Sequence, residues 1–251
     1  MKYTYNSRIG FSMVDQDKNL SLNSIVDYFQ DAATFHSEDL GVGYEYLVPR
    51  NLLWVINTWQ IDILKYPKYL DKITVTTTPY KFRSFLGYRN FTIEDEKGET
   101  VVKANSMWSL INYSTMKPAA VPEELPEIYG SAQPLDMEYI NGKIGIPEGA
   151  VKKEPITVAE HFLDPNKHVN NGQYIKIATS YLPEGFLPTR LRTEYRNQAF
   201  LGDVLYPVVG CISDEESGDE NGSLKCIWVV SLGDENGKPY AVIEITGINK
   251  K

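Results

Sequence analysis

One short pattern occurs twice in the chain, and each time it stands before the same order of elements. Residues 15–20 read Asp-Gln-Asp-Lys-Asn-Leu, and residues 164–169 read Asp-Pro-Asn-Lys-His-Val. After each pattern, apolar residues recur at helical spacing and strand-like runs follow. Because two stretches with one order of elements are typical of a duplicated unit, the sequence predicts two copies of an α+β domain.

The first copy opens with a strand-like stretch over 3–14 and a helix predicted over 22–39. Ser21 suits the N-cap of that helix, and Gly41 suits its end. Runs rich in β-branched and aromatic residues then predict strands over 52–64, 71–80, 84–94 and 101–113. The first copy therefore combines one long helix with several strands.

The second copy has a shorter predicted helix, with Tyr174, Ile177, Ala178 and Tyr181 on one face. Its strands are predicted over 191–199, 204–212, 224–232 and 240–248, with acidic turns over 214–222 and 234–237. The stretch 117–147 is rich in proline and lacks periodicity. The predicted domains are therefore residues 1–116, a linker over 117–150, and residues 151–251.

The bulk composition argues against several classes of protein. The 251 residues are 42% hydrophobic and carry a formal net charge of −8, which disfavours a general nucleic-acid-binding protein. No apolar leader follows Met1 and no run reaches bilayer length, so we expect a cytoplasmic protein without a membrane span. Cys211 and Cys226 lack further ligands at metal-binding spacing, which predicts two buried thiols, no metal site and no cofactor.

The second pattern carries groups suited to thioester hydrolysis, which needs a base for water and donors for the developing oxyanion. Asp164 can act as the base, Asn166 can position water or the carbonyl, and His168 can exchange a proton. In an extended loop these three side chains would share one side. Asn170 or Asn171 can cap the following helix, whose first N–H groups would then face the thioester oxygen.

An ordinary structural role explains the same residues, because Asp-Pro-Asn is a common turn sequence and Asn-Asn is a common cap. The duplication favours the chemical interpretation. The first copy has Asn19 where the second has His168. This difference is expected if one half performs chemistry while the other half binds.

The 164–171 run, with Tyr174 after it, resembles the Asp-x-Asn-x-His-x-Asn motif of the plant and bacterial acyl-acyl carrier protein (acyl-ACP) thioesterases. Tyr66-Pro67 and the stretch 70–73 also resemble that family, so that the similarity runs over nearly the whole chain. It implies an α+β fold of two tandem hotdog domains, each a long helix wrapped by a curved antiparallel sheet, paired as a single-chain pseudo-dimer.

The resemblance also implies a function. Members of the family hydrolyse fatty acyl-ACP thioesters, release the free fatty acid and so end chain elongation, with acyl carrier protein as the partner. The C-terminal hotdog is implied to be catalytic, and the N-terminal hotdog to select the chain length.

The chain departs from the plant members at one place. Where they carry Glu-Cys, it has Gln198 and Ala199, so a cysteine nucleophile at that position is excluded. Gln198 can orient water or an oxyanion but cannot take a proton. We therefore predict water attack assisted by Asp164, with Asn166, His168 and Gln198 positioning the reactants. Glu194 is the alternative base, since spacing by two along a strand would put it on the face of Gln198.

Other residues carry weaker predictions. Tyr28, Phe29, Trp54 and Trp59 are candidates for lining an acyl tunnel, with an ordinary core as an equally weighted alternative. His36 is expected in the core or in a pocket wall. His161 is expected in a strand with a structural role.

Two groups of basic residues are candidate docking sites for an acidic carrier protein, although scattered surface charge explains them as well. They are Lys65, Lys68, Lys72, Lys81, Arg83 and Arg89 in the first copy, and Arg190, Arg192 and Arg196 in the second.

Three other functions compete with acyl-ACP hydrolysis. They are an acyl-CoA thioesterase of the same fold, a hotdog dehydratase and a non-catalytic acyl-binding protein. The dehydratase is disfavoured because its His and carboxylate generally come from different repeats or subunits. Acyl length, saturation preference and the oligomeric state, including a homodimer, are left open by the sequence.

Overall fold

The protein is described here by a computed structural model that covers residues 1–130, 132–214 and 225–249. The chain forms two compact units, Met1–Tyr139 and Ile140–Lys251. The boundary between the units falls inside the predicted linker. The acidic turn predicted over 214–222 lies, after its first residue, outside the described residues.

The first unit contains six strands and three α-helices among its described residues. They are β1 (Tyr3–Arg8), α1 (Leu22–Asp39), α2 (Tyr44–Leu47), β2 (Leu52–Ile63), β3 (Lys72–Arg83), β4 (Leu86–Glu94), β5 (Thr100–Asn112), β6 (Lys117–Pro118) and α3 (Glu124–Tyr129). The strands pair antiparallel in the order β1-β3-β4-β5-β2, and β6 pairs with β5. The helix predicted over 22–39 is confirmed.

The core of the first unit forms where α1 lies against the sheet. The apolar face of α1 is buried, and the helix contacts β1 and β3. The Phe29 ring lies 5.0 Å from that of Phe91 in β4 and 5.9 Å from that of Trp59 in β2. Each such buried aromatic side chain contributes on the order of 2–3 kcal/mol. The burial of these three rings therefore helps to hold the helix on the sheet.

Part of the proline-rich stretch is packed structure rather than a linker. In α3, Leu125 and Tyr129 are buried, and they pack with Val42 in one apolar cluster. Pro126 hides the helical periodicity, but it lies in the first turn of α3, where backbone N–H groups have no partner within the helix. The first unit therefore extends beyond residue 116.

The second unit repeats the plan with a shorter helix. Its described elements are β7 (Val151–Lys152), β8 (Ile156–Thr157), α4 (Asn171–Thr179), β9 (Phe186–Tyr195), β10 (Val204–Asp214), β11 (Lys225–Gly233) and β12 (Pro239–Asn249). The strands pair antiparallel in the order β9-β12-β11-β10-β7, and β8 pairs with β10. Because α4 packs against β12, each unit has the predicted α+β hotdog arrangement of a helix on an antiparallel sheet.

The two cysteines lie on the neighbouring strands β10 and β11, and neither forms a disulfide. Cys226 is buried as predicted, but Cys211 is exposed. The prediction of two buried thiols is therefore wrong for Cys211.

None of the helices in the described part of the chain is both long and apolar enough to cross a membrane.

Candidate active site

The loop that begins at Asp164 is a tight turn closed by its own aspartate. The N–H of Asp164 donates to the carbonyl of His168 (2.8 Å), and the N–H of Lys167 donates to the carbonyl of Asp164 (2.9 Å). Oδ1 of Asp164 accepts the N–H groups of Asn166 (2.8 Å) and His168 (3.2 Å). The prediction of an extended loop is therefore wrong. The aspartate curls the chain, and this turn brings residues 164, 166 and 168 together.

The second carboxylate oxygen of Asp164 is the one left for chemistry. Its contact among the described residues is with Asn166, whose Nδ2 lies 3.5 Å from Oδ2, at the long limit of a hydrogen bond. Asp164 is half-buried and Asn166 is exposed. An acceptor oxygen and an amide donor therefore lie side by side in this turn.

Two contacts bring a second segment alongside the turn. The His168 ring packs edge-on against Phe200, with 4.9 Å between ring centroids. The N–H of Val169 donates to the carbonyl of Ala199 (3.0 Å). Gln198, which directly precedes Ala199, is thereby held in the segment next to the turn.

The predicted helix cap is confirmed at Asn170. Its Oδ1 accepts the N–H of Gly172 (2.8 Å), and its carbonyl accepts the N–H of Gln173 (2.9 Å). Two of the N–H groups expected to face a thioester oxygen are therefore already engaged. The side-chain amides of Asn166 and Gln198 are then the better candidates for donors to an oxyanion.

Glu194 does not share a strand face with Gln198. Strand β9 ends at Tyr195, so the spacing by two does not continue to residue 198. Oε1 of Glu194 accepts the N–H of Ile144 (2.7 Å), and Oε2 accepts Nε (2.9 Å) and Nη2 (2.6 Å) of Arg196. Both oxygens are engaged in holding neighbouring chain segments, which argues against Glu194 as the base.

The four residues predicted to line an acyl tunnel lie in different surroundings. Phe29 and Trp59 are fully buried in the core described above. The ring centroids of Trp54 and Phe82 are 6.3 Å apart, and both side chains pack against the apolar cluster of Val42, Leu125 and Tyr129. The Tyr28 hydroxyl donates to Sδ of Met13 (2.9 Å). The structure therefore does not gather the four side chains, and a role in substrate binding stays a prediction for each.

Neither of the other two histidines has a predicted role in catalysis. His36 is buried, as predicted, with Nδ1 3.3 Å from Nη1 of Arg89. Burial, and then the charge of Arg89, lower the pKa of His36 to about 4. His161 lies in a 3-10 turn over Glu160–Phe162 and is exposed, so the prediction of a strand there is wrong.

Several members of the two basic groups proposed for docking are buried or form ion pairs within the protein. Arg89 is buried and stands over the ring of Tyr129, so it cannot belong to a docking surface. Four other members form ion pairs. These are Lys65–Asp95 at 3.3 Å, Lys72–Glu96 at 3.2 Å, Arg192–Glu244 at 3.0 Å and Arg196–Glu194 at 2.6 Å.

The first copy repeats the backbone bonds of the Asp164 turn. The N–H of Asp15 donates to the carbonyl of Asn19 (2.9 Å), and the N–H of Lys18 donates to the carbonyl of Asp15 (3.1 Å). Oδ1 of Asp15 accepts the N–H groups of Asp17 and Asn19, both at 2.9 Å. Lys18 and its counterpart in the second turn both adopt a φ of 63°. The repeat predicted from sequence is therefore confirmed at the level of single bonds.

The segment alongside each turn is also duplicated. Leu20 donates its N–H to the carbonyl of Pro67 (2.8 Å), as Val169 does to Ala199. Both segments then form the same small turn, in which Lys68 N–H donates to Asp71 Oδ2 and Phe200 N–H to Asp203 Oδ2, each at 2.8 Å. Pro67 therefore corresponds to Ala199, and Tyr66 to Gln198. Residue identity does not reveal this match, because Tyr66-Pro67 and Gln198-Ala199 share no residue, but the equal spacing to Asp71 and Asp203 signals it.

The same aspartate arrangement closes two β-hairpins that carry no candidate chemistry. Oδ1 of Asp95 accepts two backbone N–H groups (2.9 and 3.1 Å), and so does Oδ1 of Asp234 (2.9 and 2.8 Å). Gly98 and Gly237 take the position of positive φ, at 77° and 78°. Oδ1 of Asp164 thus has a structural role common to four turns, and only Oδ2 is specific to the site.

Within the described part of the chain, no group of three or more His, Cys, Asp or Glu side chains is placed to hold a metal ion.

Comparison with known proteins agrees with the resemblance seen in the sequence. Residues 1–129 match the family model of the acyl-ACP thioesterase N-terminal domain. A chloroplastic acyl-[acyl-carrier-protein] hydrolase of Cuphea viscosissima is 27% identical over 221 residues, covering 82% of this chain and 53% of the relative. The chain thus spans about half the length of the curated relatives it matches.

Solved structures match over the full chain. An acyl-ACP thioesterase from Bacteroides thetaiotaomicron superposes with a TM-score of 0.83 at 22% identity, covering 98% of this chain and 97% of that one. A 12:0-ACP thioesterase from Umbellularia californica gives 0.83 at 21% identity, covering 99% and 94%. These matches show that the fold is shared.

Proposed function

The chain belongs to the acyl-ACP thioesterase family, and we propose that it hydrolyses fatty acyl-acyl carrier protein thioesters. The products would be a free fatty acid and the carrier thiol, so that the reaction ends chain elongation in fatty-acid biosynthesis. The observation that carries this proposal is the Asp164 turn. Oδ1 of its aspartate accepts the backbone N–H groups of Asn166 and His168, and the side-chain amide of Asn166 lies 3.5 Å from the second carboxylate oxygen.

The proposed reaction is direct attack by water. Oδ2 of Asp164 takes one proton while the water oxygen bonds to the carbonyl carbon of the thioester. Donors from Asn166 and Gln198 stabilise the negative charge that develops on the carbonyl oxygen. The carbon–sulfur bond then breaks, and the departing sulfur receives the proton, which leaves a carboxylic acid and a thiol. His168 positions the reactants beside this carboxylate.

A covalent enzyme intermediate has no part in this scheme, because Ala199 stands where the plant members carry cysteine. We expect single-turnover measurements to show free thiol and free fatty acid forming together. A burst of thiol that precedes the fatty acid would contradict direct water attack.

The choice of base is tested by two conservative substitutions. Asp164→Asn keeps an oxygen for the N–H groups of Asn166 and His168 but removes the charge, so we expect a loss in kcat of about 100-fold or more. Glu194→Gln alters a carboxylate whose oxygens already hold Ile144 and Arg196, so we expect kcat within about threefold of wild type. The reverse order of effects would assign the base to Glu194.

The substrate class is tested by thiol release from matched acyl-ACP and acyl-CoA substrates across chain lengths. A higher kcat/KM for acyl-ACP supports the proposal. Preference for acyl-CoA would make the chain a coenzyme A thioesterase of the same fold, and binding without turnover would make it an acyl-binding protein.

Location and assembly belong to the proposal as well. We infer a cytoplasmic enzyme from the hydropathy of the sequence, whereas the Cuphea viscosissima relative is named as chloroplastic. Fractionation of the source cells and sedimentation of the purified protein would decide the location and whether a homodimer forms.

A further inference from the structure

The phenyl ring of Phe200 packs against the imidazole of His168. The two ring centroids are 4.9 Å apart and the ring planes are inclined at 69°, so that the rings meet edge to face. Aromatic rings prefer this geometry. Among the described residues, no group forms a hydrogen bond with a ring nitrogen of His168. The orientation of the imidazole therefore depends on packing within this part of the chain, and Phe200 supplies such packing.

The backbone of Phe200 is held at both its N–H and its carbonyl. The N–H donates to Oδ2 of Asp203 (2.8 Å), and the carbonyl accepts the N–H of Asp203 (3.1 Å). The same small turn is joined to another segment, since Gly202 donates its N–H to the carbonyl of Val158 (3.0 Å). A residue that positions another group needs a fixed backbone of this kind.

The first copy has the same backbone arrangement with other side chains. Lys68 takes the position of Phe200. Its N–H donates to Oδ2 of Asp71 (2.8 Å), and its carbonyl accepts the N–H of Asp71 (3.0 Å). Lys68 lies opposite Asn19, the counterpart of His168, in an isolated β-bridge. The small turn therefore forms without an aromatic ring, and the ring is found in the copy that carries the imidazole.

Burial accounts for little of the phenyl ring at this position. The Phe200 side chain is 49% exposed, so about half of its apolar surface stays in water. A half-exposed ring stabilises the fold much less than a buried one. The contact with His168 is the feature that distinguishes this position from that of Lys68.

We propose that Phe200 is a positioning residue, which holds the imidazole of His168 in the orientation needed for hydrolysis. This role rests on the function proposed above, in which His168 positions the reactants beside the Asp164 carboxylate. An imidazole that turned freely about its side-chain bonds would be misplaced for part of the time. Misplacement of a reacting or orienting group lowers the rate of the chemical step.

The test begins with Phe200→Leu, which keeps an apolar side chain and removes the flat ring. We expect kcat on an acyl-ACP to fall about 3- to 10-fold, the range that an edge-to-face contact accounts for, with KM changed less than about twofold. Phe200→Tyr keeps the ring and should retain kcat within about twofold of wild type. Equal losses in the two variants, or a wild-type kcat in Phe200→Leu, would overturn the proposal.

Phe11→Leu is the matched control in the first copy. Phe11 is also an exposed ring that packs edge to face, with its centroid 5.9 Å from that of Tyr69 and the planes inclined at 79°. Tyr69 follows Lys68 in the small turn of the copy without the imidazole. The kcat of Phe11→Leu should stay within about 1.5-fold of wild type. A loss as large as that of Phe200→Leu would overturn the proposal, because the effect would not be specific to His168.

A cycle with His168→Asn shows whether Phe200 acts through the imidazole. In that background, Phe200→Leu should lower kcat by no more than about 1.5-fold further, because the ring that it positions is gone. Additive losses would give Phe200 a role of its own in the reaction and would overturn positioning. The melting temperature of Phe200→Leu should stay within about 3 °C of wild type, which separates the loss in kcat from a loss of fold.

The side-chain torsion of His168 gives a readout that does not depend on activity. The chain has three histidines, so comparison with His168→Asn assigns the resonances of this one. Three-bond couplings across χ1 should indicate one rotamer in wild type and in Phe11→Leu, and averaged rotamers in Phe200→Leu. A wild-type protein inactive on every acyl thioester would defeat the proposed function, and the couplings would still decide whether Phe200 fixes the imidazole. Unchanged couplings in an active protein would defeat only the role of Phe200.

Discussion

The turns at Asp15 and Asp164 share their backbone and differ in their side chains. In both, the aspartate Oδ1 accepts two N–H groups, and a lysine adopts a φ of 63°. The last residue of the turn is Asn19 in one and His168 in the other. The comparison teaches that the aspartate sets the shape of the turn, whereas the residue four positions later gives only the second turn a side chain that can exchange a proton.

The helices after the two turns differ in length, and only the longer one carries a histidine. Helix α1 has 18 residues and α4 has 9. The additional turns of α1 bury His36 and place Ser37 near Arg89, where Nη2 of the arginine lies 3.5 Å from the serine hydroxyl. The unit without the imidazole in its turn therefore keeps a buried, titratable imidazole in its core.

Exchanging the distinguishing residues should give the largest effect. His168→Asn makes the second turn like the first, and we expect kcat/KM to fall about 100-fold or more with the melting temperature nearly unchanged. Asn19→His is the reciprocal control, which should leave kcat/KM unaltered. Steady-state kinetics and thermal melts measure both variants, and full activity in His168→Asn would remove the imidazole from the site.

Acidification should weaken the unit that contains His36. The folded-state pKa of about 4 lies below the ordinary value of 6.5, so the unfolded chain binds the proton first. The contribution of His36 to the free energy of unfolding is therefore fully present above pH 6.5. It is lost as the pH falls from 6.5 towards 4, by roughly 3 kcal/mol in total. Chemical denaturation of wild type and His36→Gln measures it. Equal slopes against pH in the two proteins would contradict this assignment.

Removing the structural oxygen from the first turn should cost less. Asp15→Ala leaves the N–H groups of Asp17 and Asn19 to water, and we expect a loss of about 1 kcal/mol in the free energy of unfolding. Asp15→Asn keeps the acceptor and should cost less than half of that. Both variants should retain wild-type kcat. A large drop in activity would show that the first turn takes part in the reaction.

The smallest effect should come from the strained lysine. Glycine stands at the equivalent place in the Asp95 and Asp234 hairpins. Lys18→Gly removes the cost of a left-handed conformation for a residue with a Cβ, but it also makes the unfolded chain more flexible. We expect the free energy of unfolding to rise by about 0.5 kcal/mol. Urea denaturation measures it. A loss of stability would mean that the Lys18 side chain makes a contact worth more than the strain.

Local patterns predicted much of the fold correctly. Helix α1 and the long strands of both units follow from apolar periodicity and from turn residues, which act over a few neighbouring positions. Helix α3 was missed because Pro126 interrupts the pattern. The end of β9 at Tyr195 was missed because a strand stops where its pairing stops, and pairing is non-local.

The sequence by itself determined that the protein has two copies of one unit and that the second carries the imidazole. It also determined the residues that could do chemistry there. Only the tertiary structure decided that Oδ1 of Asp164 holds the backbone of its turn while Oδ2 faces the Asn166 amide, that Glu194 is engaged with Ile144 and Arg196, and that Val169 holds the Ala199 peptide beside the turn. The reason is physical. Which donor meets which acceptor depends on segments far apart in the chain, and the fold alone brings them within hydrogen-bond distance.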